Sequence, residues 1–238
     1  MKSEEVKKRC YTIHEEITSA YRYAYIYSRA FKFMKVGHYM NEHQYDKHLN
    51  IQTEGFQIGY PKSLEYHRYE PTPYKALDQL FEVYELPKNA CCIDVGCGKG
   101  RVPIYMYDRF HIPVKGIEMD PKFFAAAEHN LMLYKQKVKR KDLPITFYHE
   151  IAENYKVAVE DNTFFFFNPF SVHIFRKMMR NILASYESNV RTMHFIFYYP
   201  SPEYLDVLTN EFALQQLHEI PLLNEKNRNE RLLVFTLN

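Results

Sequence analysis

The chain has 238 residues, and its 31 Lys and Arg against 29 Asp and Glu leave a net charge of +2, so its overall charge demands neither a polyanion nor a membrane as partner. The 46% hydrophobic and 25% charged fractions exclude a disordered or fibrous chain, and 21 Tyr and 18 Phe supply aromatic area for a core that has no Trp. This length suits one α/β domain with an extension, or two small domains.

The first ten residues, MKSEEVKKRC, are charged and lack an apolar h-region, so no signal peptide is expected. No uninterrupted apolar run reaches the ~18 residues of a membrane span. The cysteines are Cys10, Cys91, Cys92 and Cys97, with no C-x-x-C spacing among them. Free thiols in a reducing, cytoplasmic setting are the expectation.

From residue 1 to 40, Ile13, Ile17, Ala20, Ala24, Tyr27, Phe31 and Met34 recur at steps of three or four, which predicts a helix. Basic residues interleaved with aromatics there could meet RNA, or could simply form a solvated face. Residues 41–70 are polar, contain Gly55, Gly59 and Pro61, and read as a connector. His38, His43 and His48 are spaced by five, which does not place them on one helical face, so no metal site is expected. In EPTPYKALDQLFEVYEL the two prolines set an extended entry, and Ala76, Leu77, Leu80, Phe81 and Tyr84 form the apolar face of a helix.

Strands and helices then take turns. CCIDV, PVKGIEM, ITFYHE, TFFFF, RTMHFIFYY, ALQQLHEI and RLLVFTL read as strands. RVPIYMYDRF, PKFFAAAEHNLMLYKQK, SVHIFRKMMRNILASY and SPEYLDVLTNEF read as helices. Such alternation predicts an α/β fold: a Rossmann-like, doubly wound, mostly parallel seven-stranded sheet behind an N-terminal helical extension.

Between the first strand and its helix lies DVGCGKGR, which spends Gly96, Gly98 and Gly100 of a chain with only seven glycines. A loop at the carboxyl end of a strand in an open α/β sheet is where ligands bind, and glycine lets backbone turn tightly and a ligand approach closely. A P-loop would need Ser or Thr after Gly98-Lys99, where Gly100 stands. The dinucleotide fingerprint needs its third glycine three positions after the second, and Gly100 comes after two. What remains distinctive is an acid just before the loop, Asp94.

The pattern Asp94-x-Gly96-x-Gly98-x-Gly100-Arg101 resembles the first motif of the class I S-adenosylmethionine-dependent methyltransferases. In that family the acid suits the ammonium of the cofactor's amino acid end, and the glycines leave room for the sulfonium chain. Later strand ends agree with the resemblance. Glu118 ends the second strand 24 residues after Asp94, where the family uses a carboxylate for the ribose hydroxyls. Glu150 ends the third, where the family keeps an acid or amide for the adenine amino group, with Ile151 offering an N–H and an apolar wall. Asp120 precedes Pro121 and reads as a helix N-cap.

After the fourth strand, Asn168-Pro169-Phe170 is similar to the N-P-P-[YF] motif of enzymes that methylate planar amino or amide nitrogens, with the second proline absent. The resemblance implies that the Asn168 side-chain carbonyl and a neighbouring main-chain carbonyl accept the hydrogens of an –NH₂ group. Phe170 would stack on a flat substrate or pack beside the sulfonium. Ahead of the first strand, Tyr69, Thr72 or Tyr74 in YEPTPY could close over the methionine end of the cofactor.

The resemblance therefore implies S-adenosylmethionine as cofactor, bound by Tyr74, Asp94, Gly96, Cys97, Gly98, Gly100, Arg101, Glu118, Met119, Glu150 and Ile151, with Asn168, Pro169 and Phe170 as catalytic residues and no metal. It covers roughly residues 70–238. The expected division is an extension or cap over 1–68 and a cofactor-binding domain over 69–238. The expected reaction is direct SN2 transfer to a nitrogen acceptor, on a protein side chain or RNA rather than a small molecule. A silent S-adenosylmethionine-binding scaffold is the alternative reading, with an NAD-dependent oxidoreductase behind it.

Overall fold

The order of the strands is set by where apolar runs can be buried on both faces. A computed structural model describes residues 40–55, 57, 65–212, 214–223 and 225–238. The helix expected over residues 1–40 lies outside them. Seven strands form one sheet: β1 Cys92–Val95, β2 Val114–Glu118, β3 Ile145–His149, β4 Thr163–Phe166, β5 Met193–Tyr198, β6 Gln215–Pro221 and β7 Arg231–Leu237. Their order across the sheet is β3-β2-β1-β4-β5-β7-β6. The first five are parallel, and β7 runs antiparallel between β5 and β6.

The run Phe164–Phe167 shows why this sheet is covered on both sides. Phe165 faces one core layer with Cys92 and Ile196, while Phe164 and Phe166 face the other. There Phe164 stacks on Phe195 at 5.6 Å and Phe166 on Phe197 at 5.1 Å. Full burial of each ring is worth about 1.5–3 kcal/mol. A half-exposed strand could not hide such a run, so β4 must be internal.

Six helices are described: α1 Glu42–Leu49, α2 Tyr74–Val83, α3 Arg101–Phe110, α4 Pro121–Val138, α5 Val172–Ser188 and α6 Pro202–Asn210. α2, α3 and α4 supply the first core layer, through residues such as Leu77, Ile104 and Leu131. α5 and α6 supply the second, through Phe175, Met178 and Val207. None of the described helices is long and apolar enough to cross a membrane.

The connector expected over 41–70 contains α1, which corrects that reading. Asn41 caps it by accepting from the Gln44 amide at 2.9 Å, while the Gln44 side chain accepts from the Asn41 amide. This reciprocal cap stabilises a helix with almost no apolar face. Its inward residues are Asp46 and Leu49, and Asn50 ends it in the left-handed region at φ 58°.

Candidate active site

Strand order reverses between β2-β1 and β4-β5, so the crossovers leave a crevice at the carboxyl ends of β1 and β4. A cleft of about 1030 Å³, counted to its open mouth, lies there. The strands deliver to it Asp94, Gly96 and Cys97 after β1, Glu118 and Met119 after β2, Glu150 after β3, and Pro169 and Phe170 after β4.

The glycine loop turns left-handed three times, at φ 83° for Gly96, 54° for Gly98 and 82° for Gly100. Only glycine takes such angles freely. Each glycine also has a side chain lying on it. A Cβ at Gly96 would stand 2.7 Å from Cβ of Pro169, and one at Gly100 2.6 Å from the Phe147 ring. One at Gly98 would run into the ring of Tyr69. The protein itself therefore requires the glycines, in addition to any ligand above them.

Asp94 is 4% exposed, lines the cleft, and accepts no hydrogen bond from any described residue. Burial, and then the charge of Glu118, raise its pKa well above the usual carboxylate value. Glu118 is held differently: Oε2 accepts from the Gly98 amide at 2.9 Å and Oε1 from the Asp120 amide at 2.7 Å. Burial raises its pKa, and those two amides partly offset the rise. Asp120 does cap α4, accepting from the Lys122 and Phe123 amides. Cys97 is buried, which pushes its thiol up and leaves it un-ionised.

One wall comes from residues 65–72. Tyr66 pairs with Phe170 in a short antiparallel bridge, and the His67 amide donates to the Pro169 carbonyl at 3.0 Å. Tyr69 donates its hydroxyl to the Thr53 carbonyl at 2.6 Å and packs on Phe123 with ring centroids 4.7 Å apart. The Lys99 ammonium sits over the Tyr69 ring, 5.0 Å from its centroid. Tyr69 and Thr72 line the cleft; Tyr74 does not. Tyr74 is fully buried, with its hydroxyl donating to Asp46 at 2.8 Å and its ring under the Arg101 guanidinium at 4.3 Å.

Arg101 reaches the cleft wall and is held there by hydrogen bonds to Thr53 Oγ1, to the Thr72 carbonyl at 3.0 Å and to Glu42. It ties α1 and the following loop to the start of α3. Gly98, Gly100, Ile151 and Asn168 are also not among the lining residues, though Ala152, next to Ile151, is. Residues that sequence reasoning did not single out for this cleft include Tyr66, His67, Phe123 and Phe167.

Asn168 takes a left-handed conformation at φ 38°, and its Oδ1 is buried without a hydrogen-bond partner. Asparagine tolerates this region better than most residues. Its main-chain carbonyl lies 2.6 Å from Nδ1 of His67. The main-chain carbonyls of Asn168 and Pro169 thus each carry a donor from His67 already, which differs from the expectation that one of them is open to an –NH₂ group. The described residues contain no group of His, Cys, Asp and Glu that could hold a metal ion.

No protein-family model matches the sequence, and no curated protein matches it either. Solved structures do. A human methyltransferase 10 domain containing protein is 12% identical with a TM-score of 0.54, over 81% of this chain and 91% of that one. An RNA methyltransferase from Salinibacter ruber, solved with S-adenosyl-L-homocysteine, is 18% identical with a TM-score of 0.52, over 70% and 93%. A TehB-like SAM-dependent methyltransferase from Corynebacterium glutamicum is 14% identical with a TM-score of 0.50, over 69% and 88%. The likeness is one of fold: the chain has the seven-stranded α/β fold of class I methyltransferases.

Proposed function

We propose that the protein is an S-adenosylmethionine-dependent methyltransferase that acts on a nitrogen acceptor, carried by a protein side chain or RNA. The observation that carries the reading is Asp94. A buried carboxylate with no donor among the described residues is costly unless a cation or hydrogen-bond donor joins it. It lies in an open cleft at the carboxyl ends of the strands, beside a second carboxylate held on the glycine loop.

When bound, the cofactor supplies an activated methyl group on sulfur. Asp94 takes the ammonium of its amino acid end. Glu118, fixed by the Gly98 and Asp120 amides, presents its remaining lone pairs to the ribose hydroxyls. Glu150 and Ala152 line the same cleft and would border the adenine ring. Phe170, 1% exposed and braced by Tyr66 at 6.1 Å between ring centroids, gives the transfer zone a fixed apolar wall. Asn168, whose Oδ1 is buried without a partner behind Pro169 and Phe170, would offer that oxygen to an N–H of the acceptor once its side chain turns into the cleft, aiming the nitrogen lone pair by positioning alone. The run Lys135, Lys139, Arg140 and Lys141 borders a groove at the end of α4 and supports an acidic macromolecule as carrier of the acceptor.

The test is calorimetric titration with S-adenosylmethionine and, separately, NAD. It is followed by transfer of tritiated methyl to unfractionated tRNA, a lysine- and histidine-containing peptide mixture, and spermidine. Micromolar S-adenosylmethionine binding and label on tRNA or peptide are expected; saturable NAD binding in its place would overturn the reading. Asn168→Ala is expected to leave cofactor affinity within about twofold and to lower turnover roughly 10²-fold. Unchanged turnover would remove Asn168 from the chemistry.

A further inference from the structure

His67 lies outside every regular element and is joined to the end of β4 by two hydrogen bonds. Its main-chain amide donates to the Pro169 carbonyl at 3.0 Å, and its Nδ1 lies 2.6 Å from the Asn168 carbonyl. A carbonyl oxygen only accepts, so Nδ1 must carry the proton in that bond. In a neutral imidazole the lone pair is then on Nε2. Nε2 makes no hydrogen bond with any described residue, and His67 is exposed and lines the cleft alongside Pro169 and Phe170.

The ring is therefore held by one nitrogen and free at the other, beside the segment where acceptor and methyl group would meet. That is the arrangement of a proton acceptor: one nitrogen fixes tautomer and direction, and the other receives the proton. The main-chain carbonyls of Asn168 and Pro169 each already accept one hydrogen bond from His67. Beside Pro169 and Phe170 in the cleft lining, Nε2 of His67 is a group that can remove a hydrogen.

We infer that His67 is the general base of the transfer, and that the acceptor is a nitrogen that loses a proton as it is methylated. This rests on the methyltransferase reading above. The acceptor's lone pair forms the N–CH₃ bond, and the C–S bond breaks with its electrons retained on sulfur. The N–H proton passes to Nε2, which then returns it to water. No metal or further reactant is needed for the balance.

The first measurement is made on the free protein. Long-range ¹⁵N–¹H spectra of ¹⁵N-histidine-labelled protein, assigned with His67→Gln, report which nitrogen carries the proton. The tautomer with its proton on Nδ1 is expected; the tautomer with its proton on Nε2 would overturn the proposal, because the lone pair would then face Asn168. The second uses His67→Gln, which keeps a donor for the Asn168 carbonyl but offers no base. Binding of S-adenosylhomocysteine should stay within twofold, while methyl transfer to the probes named above falls at least 10²-fold. In His67→Ala, added imidazole should restore part of the lost rate. Transfer that survives His67→Gln within threefold would dismiss His67 alone. Absence of S-adenosylhomocysteine binding in the unmodified protein, or binding with no transfer to any probe, would overturn the enzyme reading and the role of His67 with it.

Discussion

Two buried aspartates, one near each end of the strands, are treated in opposite ways. Asp161, before β4, is fully enclosed and accepts from Lys115 Nζ at 2.6 Å, the Tyr155 hydroxyl at 2.8 Å and the Ala158 amide at 2.8 Å. Burial works against the Lys115 ammonium, but its hydrogen bonds to Asp161 and Glu160 outweigh burial and hold its pKa above the usual lysine value. Asp94, at the end of β1, is nearly as buried and has no such partner among the described residues. The amino ends of the strands have their charges neutralised from within. At the carboxyl ends, Asp94 and Glu118 have no ion-pair partner among the described residues, which leaves them to a ligand.

Removing Asp161 should have the largest effect. Asp161→Ala leaves Lys115, the Tyr155 hydroxyl and the Ala158 amide without their shared acceptor, and should cost about 3–5 kcal/mol in chemical denaturation. A loss below about 1 kcal/mol would mean that this end is not held by charge pairing. At the other end, Glu118→Ala should weaken S-adenosylmethionine binding by about 2–3 kcal/mol in calorimetry, with a smaller change in stability. If stability falls by more than binding does, Glu118 is a structural acid like Asp161.

Gly98→Ala tests whether the loop is shaped by its own protein. Left-handed backbone costs a non-glycine residue about 1–2 kcal/mol, and the new methyl also meets the Tyr69 ring. Adding Tyr69→Ala should recover the steric part and leave the backbone part, giving non-additive stabilities in the double variant. Additive values would place the two residues out of contact.

Asp94→Asn should have the smallest effect on stability and the opposite sign. The folded pKa of Asp94 is raised, so its stabilising contribution is present below the ordinary aspartate value of about 4 and is lost as pH rises through the raised one. Near pH 8 the amide variant should be more stable than the original by on the order of 1 kcal/mol, with cofactor binding lost. The stability gap should close as pH falls towards 4. A gap that is flat with pH would show that Asp94 is already paired.

The alternation of strand and helix was legible because β1 and β4 are buried on both faces and read as continuous apolar runs. Asp94, Glu118 and Glu150 were legible because a strand fixes where it ends, and the sheet brings those ends to one crevice. α1 was not legible as a helix: its inward face is Asp46 and Leu49, and the cap between Asn41 and Gln44 was its one local signal. Nor could the sequence say which aromatic of residues 66–74 meets the cleft. That segment has no period, so Tyr69 and Tyr74 looked equivalent, and only Asp46 and Arg101 beneath Tyr74 separate them. His67 carried no signal, since its setting is made by carbonyls a hundred residues away in sequence.

The three glycines of the loop carry an evolutionary consequence. Pro169, Tyr69 and Phe147 come from three distant stretches of the chain, and each fills the space that one missing Cβ leaves. A change at any of these glycines meets both its partner and the left-handed backbone, so shrinking the partner removes only one of the two obstacles. The glycines are therefore held in place twice over, and the shape of the loop can outlast much of the sequence around it.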